Sequence, residues 1–251
     1  MIETVTLYRA PTTVADVDEI AAWLRARIDA DVTVEDRLLG RFADDDALAE
    51  AFAEARVTSP YEPETGNTML GIVRYEERAL RNPERAGGVL YDGLAVQDTL
   101  RRRLETPLDR LHVPLVDRAV GTWGDHDGRW HKRVCVLGKP AVLSVPGLYE
   151  APAKPEAYYK AKQSHALVSG DAPPRELLEQ EVDGEFLVAD DPRTTDAMKG
   201  YVLAAYHYLE TGEAFCDDER CRLYNAHRQP ELVRAQLHEP ELCGTHATRY
   251  G

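Results

Sequence analysis

The sequence predicts an α+β fold in which helices pack on a mixed sheet and closely spaced cysteines fix the C-terminal end. Three observations predict it. Strand and helix patterns alternate over the first 55 residues, the densest strand signal runs from 111 to 145, and a long helical stretch at 194–212 precedes three cysteines. Alternating strands and helices are typical of helices packed on a sheet. No linker rich in Gly, Ser or Pro divides the chain, so we expect a single domain over 1–251, with a β/α body (1–190) and a C-terminal part (191–251).

The first quarter of the chain predicts two strands and two helices. Residues 2–9 alternate apolar and polar side chains with the period of a strand. A helix is expected over 14–30, and a second strand and helix over 32–38 and 44–55. The apolar residues of the first helix recur at the helical period and define its buried face: Val17, Ile20, Ala21, Leu24 and Ile28.

The middle of the chain is less regular. We expect a loop over 59–68, after which the stretch 68–80 begins as a short strand. A strand at 87–93 and a helix at 94–105 should follow. Three strand signals come next, over 111–118, 121–138 and 140–147. The second is a hairpin around Asp127-Gly128, with Trp123 and Trp130 as a cross-strand pair.

Before the C-terminal part, we expect a helix from near Pro155, a loop over 168–177, and a turn with a short strand over 180–195. Lysines 154, 160 and 162 form a local basic patch that is the best candidate in the sequence for contact with an anionic ligand. The hairpin residues Asp125, His126, Asp127 and His131 could bind a metal, although a turn needs Asp and Gly for backbone reasons alone.

The C-terminal part begins with an amphipathic helix that Thr195 or Asp196 should cap and Gly212 should end. Cys216 and Cys221 then form a CxxxxC pair, and Cys243 and His246 form a CxxH pair after a predicted helix at 229–238. Two short-spaced pairs separated by a long gap suit a tetrahedral zinc site, because each pair spans one edge of the tetrahedron. We therefore predict one structural Zn²⁺ per chain, bound by these four residues.

The alternatives to zinc are buried free thiols or a disulfide. The residues around Cys216 and Cys221 are polar and acidic, which is unusual for a buried strand and argues against buried free thiols. Asp217, Asp218 and Glu219 need not be ligands, because thiolate and imidazole bind zinc better than carboxylate in a closed site. Cys135 stands alone in an apolar run and is expected to be a buried strand residue.

The order of helix, glycine and cysteines resembles that of the archaemetzincins, a zinc peptidase family whose active-site helix reads HExxHxxGxxHC. In this resemblance Gly212 matches the glycine of the family, Cys216 and Cys221 match its CxxxxC pair, and His246 stands in place of its last cysteine. The catalytic ligands do not match. The three histidines of the family fall on Ala205, Leu209 and Phe215, and its glutamate falls on Tyr206.

The chain is also similar to an archaeal family labelled as metallopeptidases, in the stretches HVPLVDRAVGTWGDHDGRWHKRV, EAPAKPEAYY and CRLYNAHRQPEL. Together these resemblances imply a metzincin-like fold with a structural zinc and a degenerate catalytic site, in a pseudo-peptidase that binds peptides or a partner protein. The alternative is an active zinc-dependent hydrolase with other ligands, such as His207, Glu210, His227 or the hairpin.

Charge and hydropathy limit the partners. The chain has 44 acidic and 30 basic residues and a net charge of −14. Nucleic acids and anionic membranes attract positive surfaces, so we expect neither as a partner. The sequence contains no transmembrane run or signal peptide, which predicts a cytoplasmic location. An acidic, lysine-poor surface also suggests adaptation to high salt.

Overall fold

A computed structural model describes residues 1–10, 14–85, 87–171 and 173–251. The strands are β1 (Thr4–Tyr8), β2 (Asp31–Glu35), β3 (Leu90–Asp92), β4 (Arg110–Val116), β5 (Ala119–Gly124), β6 (Arg129–Arg133), β7 (Cys135–Val136) and β8 (Val142–Ser144). The helices are α1 (Val17–Arg25), α2 (Asp46–Glu54), α3 (Leu70–Arg81), α4 (Gly93–Arg101), α5 (Val145–Glu150), α6 (Glu156–Ser169), α7 (Arg175–Glu181), α8 (Thr194–Thr211), α9 (Gln229–Leu237) and α10 (Gly244–Tyr250).

Within the described residues the strands form two sheets. The larger has the order β2-β1-β4-β8-β7, in which β7 alone runs antiparallel to its neighbour. The smaller has the order β3-β5-β6, with β5 and β6 as an antiparallel hairpin. The predicted α+β class, with a mixed sheet and packed helices, is confirmed.

The larger sheet is covered on both faces. Successive side chains of a strand point to opposite sides of the sheet, and those of β1 enter two different cores. Val5 and Leu7 of β1 are fully buried in a core that includes α1 and α8. Tyr8, the next residue, belongs to a second core that contains Leu48 and Phe52 of α2. Helix α1 begins at Val17, the first residue of the predicted apolar face. Asp16 caps the helix by accepting hydrogen bonds from the N–H groups of Asp18 and Glu19.

Several local predictions are confirmed. The hairpin turns at Gly128, where φ is +63°, and pairs Trp123 with Trp130 at a ring-centroid distance of 5.9 Å. Gly212 ends α8 in the left-handed conformation, with φ +79°. Cys135 lies in β7, as expected, and is half-buried.

Other local predictions are wrong. The stretch 68–80 forms most of α3 rather than a strand, and α7 begins inside the predicted loop 168–177, of which residue 172 lies outside the described chain. The described backbone over 180–195 contains no strand. Helix α8 begins at Thr194, so its N-cap residue is Arg193, which makes no side-chain cap, and the predicted caps Thr195 and Asp196 lie inside the helix. Thr195 Oγ1 accepts a hydrogen bond from the N–H of Asp16. In the described chain no helix is both long and apolar enough to cross a bilayer.

Candidate metal centre

The first two predicted ligands lie in the loop that leaves α8. The N–H of Cys216 donates to the carbonyl of Leu223 at 2.8 Å, and that of Cys221 donates to the carbonyl of Asp218 at 3.0 Å. These bonds fold the loop, and both thiols belong to one group of possible metal ligands. Asp217, Asp218 and Glu219 are exposed between them and lie outside the cluster of possible ligands, as expected.

The other two predicted ligands lie at the start of α10. Cys243 is the N-cap residue of this helix, and His246 lies three residues further on in its first turn. The spacing of CxxH therefore places both side chains at one helix end, where backbone N–H groups favour a thiolate. Helix α9, as predicted, fills the gap between the two halves of the site.

The structure brings the four side chains together. Their ligand atoms all lie within 4.8 Å of one another, a group that could hold a metal ion. The Sγ atoms of Cys216 and Cys243 are 3.8 Å apart, and Cys221 Sγ is 3.5 Å from His246 Nδ1. With Zn–S near 2.3 Å and Zn–N near 2.05 Å, a tetrahedron has S–S edges of about 3.8 Å and S–N edges of about 3.5 Å. These two distances match the edges of a zinc tetrahedron, whereas Cys243 Sγ and His246 Nδ1 lie closer together, at 3.1 Å. All four cysteines of the chain are free rather than disulfide-bonded.

Burial and hydrogen bonding set the protonation of these ligands. Burial raises the pKa of Cys221 to about 12 and also raises the pKa of Cys216. Burial acts in the same direction at Cys243, but backbone and thiol hydrogen bonds outweigh it and lower the pKa of that residue. Burial lowers the pKa of His246, so its imidazole is neutral and able to bind a metal. A metal must displace protons from the thiols, which makes its affinity dependent on pH.

A half-buried polar network connects the metal centre to α1. Glu241 accepts hydrogen bonds from Arg222 Nη2 at 2.9 Å, Arg27 Nη2 at 2.5 Å and Trp23 Nε1 at 3.1 Å. Arg222 also donates to the carbonyl of Asp196 in α8 at 2.6 Å. The sequence did not identify these residues, because they are far apart along the chain and carry no motif.

The positions that match the catalytic residues of archaemetzincins hold no metal ligand. Ala205 and Tyr206 are buried in the core, Leu209 is half-buried, and Phe215 is 38% exposed. His207 is also buried: its Nδ1 lies 2.8 Å from the hydroxyl of Tyr250, and its ring packs edge-on against that of His246. Glu210 accepts a hydrogen bond from the N–H of Ile2.

A cleft of about 690 Å³ includes one of these positions, Phe215, in its wall. Tyr201 of α8 and Phe215 line it, together with residues 133–137 around β7, the segment 225–227 and the exposed Leu94. His227, one of the alternative ligands, lies exposed in its wall and outside the cluster of four. Arg133 contributes a cation, and its Nε donates to Thr122 Oγ1 at 2.8 Å.

The hairpin tip carries a second group of possible ligands, formed by His126, Asp127 and His131. His131 Nε2 lies 2.8 Å from Asp127 Oδ1, and hydrogen bonds from His131 and Arg129 lower the pKa of Asp127 to about 2. His131 also lines the cleft. Asp125, the fourth candidate of the sequence, is not part of this group.

The structure places the three lysines of the predicted basic patch in different surroundings. Lys154 is buried and donates to Glu179 at 3.1 Å and to the carbonyl of Leu187 at 2.6 Å. Lys160 pairs with Glu156 at 2.7 Å. Lys162, the third lysine, is exposed. Of the three, only Lys154 is thus withdrawn from the surface.

Comparison with known proteins adds one family. The chain matches the model of a family of unknown function, DUF7001, over residues 6–249. The chain belongs to this family. A solved structure similar to this DUF7001 member is the crystal structure of archaemetzincin from Methanopyrus kandleri at 1.5 Å resolution. The two are 13% identical, with a TM-score of 0.46, over 98% of this chain and 92% of that one. Among curated proteins, no sequence matches.

Proposed function

We propose that this protein is a zinc-stabilised binding protein, an archaemetzincin-like pseudo-peptidase in which a structural zinc is kept and the catalytic zinc is lost. The observation that carries the proposal is the grouping of Cys216, Cys221, Cys243 and His246, whose ligand atoms all lie within 4.8 Å of one another. The Cys216–Cys243 and Cys221–His246 distances match the edges of a zinc tetrahedron. Four protein ligands leave no open position for water or substrate. A closed site of this kind stabilises a fold and does not catalyse.

The residues at the catalytic positions support the loss of activity. A peptidase of the zincin type needs histidine ligands for a second zinc and a carboxylate as general base. Ala205, Leu209 and Phe215 provide no nitrogen ligand, and Tyr206 provides no carboxylate.

We place a peptide or protein partner in the cleft beside Phe215. The cleft combines a volume of about 690 Å³ with exposed apolar side chains and the edge strand β7. An extended segment can pair with an edge strand while its side chains enter neighbouring pockets. The net charge of −14 argues against nucleic acid and anionic membranes, and free thiols suit the cytoplasm.

Metal content and melting test the structural zinc. The protein, purified untagged and without chelator, should carry one zinc per chain by native mass spectrometry and elemental analysis. The substitutions C221S and C243S should release that zinc and lower the melting temperature by about 10 °C, since several kcal/mol of metal binding are lost. C135A is the matched control and should keep its zinc. Unchanged melting in C221S and C243S would end the structural role.

A second function has one specific observation in its favour. His126, Asp127 and His131 group three ligand atoms within 4.8 Å, and His131 opens on the cleft. Three protein ligands and an open position are what a catalytic zinc requires. The protein would then be a zinc-dependent hydrolase with a non-standard ligand set.

The two functions differ in zinc stoichiometry and activity. The hydrolase requires two zinc ions per chain and should cleave a fluorogenic casein substrate. The H126A/H131A double variant should lose one of the two zinc ions and the cleavage activity. The pseudo-peptidase requires one zinc ion per chain and should not cleave the substrate.

For the binding role, peptides selected from a displayed random library should bind the parent protein at least ten times more tightly than F215E.

A further inference from the structure

A cavity of about 390 Å³ lies apart from the metal centre, where the two sheets meet. Its wall contains Asp117 and Arg118, which directly follow the carboxyl end of β4, and the first residues of β3. Helices α5 and α7 close the other side. Ligands of open α/β sheets commonly bind in crevices beyond the carboxyl ends of strands, and the volume falls in the range of small-molecule sites.

The inner wall of this cavity carries an excess of positive charge. Arg118 is only 5% exposed, and its Nη1 donates to Glu76 Oε2 at 2.7 Å. The same carboxylate, which is fully buried, also lies 3.1 Å from Arg56 Nε. The single carboxylate of Glu76 thus pairs with the guanidinium groups of both Arg56 and Arg118 in a site of low dielectric constant. The cluster of these three residues has a net charge of +1.

The mouth of the cavity repeats this arrangement. Glu150 is bonded to both Lys132, at 2.5 Å, and Arg175, at 3.2 Å. Arg175 Nε is buried and has no hydrogen-bond acceptor among the described residues. Glu179 lies 3.7 Å from that atom and is bonded to Lys154. The charged residues that line the cavity itself are three cations, Arg118, Lys132 and Arg175, and two carboxylates, Asp117 and Glu150.

The rest of the wall is apolar or uncharged. Val89 and Pro146 line it, and the ring of Tyr149 lies 4.9 Å from the guanidinium carbon of Arg175. Burial and the neighbouring Glu150 raise the pKa of Tyr149, so its hydroxyl keeps its proton and can donate to an anion. Inorganic phosphate would fill little of this space, whereas a larger molecule would also cover the apolar wall.

We propose that this cavity binds a small organic anion, in which a phosphate or carboxylate group faces Arg118, Lys132 and Arg175 and an apolar body packs on Val89, Pro146 and Tyr149. The site shares only Lys132 with the cleft and depends on no part of the zinc proposal. On a chain with net charge −14, such a local excess of positive charge is a binding feature rather than a general surface property.

Isothermal titration of the protein as purified without chelator tests the proposal with four probes: phenyl phosphate, benzoate, inorganic phosphate and benzyl alcohol. We expect saturable binding of phenyl phosphate or benzoate, and the stronger of the two identifies the preferred anionic group. Inorganic phosphate should bind at least ten-fold more weakly than phenyl phosphate because it lacks the apolar body. Benzyl alcohol, which lacks the charge, should also bind at least ten-fold more weakly.

Variants locate the binding. R175Q and K132Q should each weaken binding of the preferred probe at least ten-fold. Both side chains lie at the cavity mouth, so these changes spare the buried Glu76 cluster. R234Q is the matched control, since Arg234 pairs with Glu219 on the exposed surface, and it should bind as the parent does. Failure of both organic anions to saturate, or unchanged binding in R175Q and K132Q, would overturn the proposal.

Discussion

His112 is a buried histidine on β4, at the centre of the larger sheet. Its Nε2 lies 3.0 Å from the carbonyl oxygen of Glu105, and its Nδ1 lies 2.8 Å from the hydroxyl of Tyr8. A carbonyl can only accept, so Nε2 carries the proton and Nδ1 accepts from Tyr8. Burial lowers the pKa of His112 below its ordinary value of 6.5. The ring is therefore neutral in the folded protein at neutral pH.

This pKa shift predicts how the contribution of His112 to stability depends on pH. The unfolded chain takes up the proton near pH 6.5, whereas the folded chain takes it up only at lower pH. The contribution is therefore complete above pH 6.5 and decreases as the pH falls below that value. In urea unfolding at pH 5 to 8, the difference in unfolding free energy between the parent and H112Q should be largest at pH 7 to 8 and shrink towards pH 5.

The exposed His238 provides the control for this prediction. H238Q should differ from the parent by less than about 0.5 kcal/mol at every pH, as surface substitutions usually do. If the difference between the parent and H112Q were the same at pH 5 and pH 8, His112 would not be held neutral by the fold.

At the scale of single residues, sequence predicts best what short spacing encodes. The CxxxxC and CxxH pairs, the Trp123–Trp130 pair and Gly212 each depend on residues close together in the chain. The buried cluster of Glu76, Arg56 and Arg118 depends on three distant segments. A carboxylate on a helix is usually exposed, and only the folded structure shows that this one is buried between two arginines.

At the scale of elements, helices α3, α7 and α10 escaped prediction, and none of them has a side-chain cap at its N-terminus. Met69 is the N-cap residue of α3, and the buried face of this helix includes the charged Glu76. Helices α7 and α10 have seven residues each, too few for a clear apolar period. Packing rather than propensity stabilises such short helices. In contrast, α1 has both a capping aspartate and a complete apolar face, and sequence predicted it.

Gly147 allows α5 to pack closely against the chain between β6 and β7. A Cβ at this position would lie 2.3 Å from the carbonyl oxygen of Arg133 and 2.8 Å from the Cα of Val134. Both are backbone atoms, so the clash cannot be relieved by a side-chain rotation. G147A should lower the free energy of unfolding by about 2 kcal/mol, because overpacking of about 3 kcal/mol exceeds the roughly 1 kcal/mol gain in helix propensity. Urea unfolding measures the change.

Gly71 is the matched control for G147A. It also lies in a helix, and a Cβ there would meet no atom within 4 Å. G71A should be neutral or stabilise the protein by up to about 1 kcal/mol. Equal effects of the two substitutions would mean that α5 does not approach the strands as closely as described.

At the scale of the whole molecule, the sequence predicted the class of the fold but neither of its large cavities. The cleft combines residues from α4, β6, β7, α8 and the segment 225–227, and the anion cavity combines β3, the β4–β5 turn, α5 and α7. Which residues line each of these two cavities depends on the order of the strands in the sheets. Long-range pairing of this kind leaves no periodic trace in the sequence, whereas the helix and strand patterns that set the class do.

The net charge of −14 acts on the molecule as a whole and predicts a response to salt. Repulsion among the surface carboxylates destabilises the compact state, and raising the ionic strength from 0.1 to 1 M shortens the screening length from about 10 to about 3 Å. Screening also weakens exposed ion pairs, but each of these contributes only about 0–1 kcal/mol. Relief of repulsion should therefore prevail, and the melting temperature should rise by several degrees between 0.05 and 0.5 M KCl. A rise in KCl supports adaptation of the acidic surface to a saline interior, and a fall in KCl would contradict it.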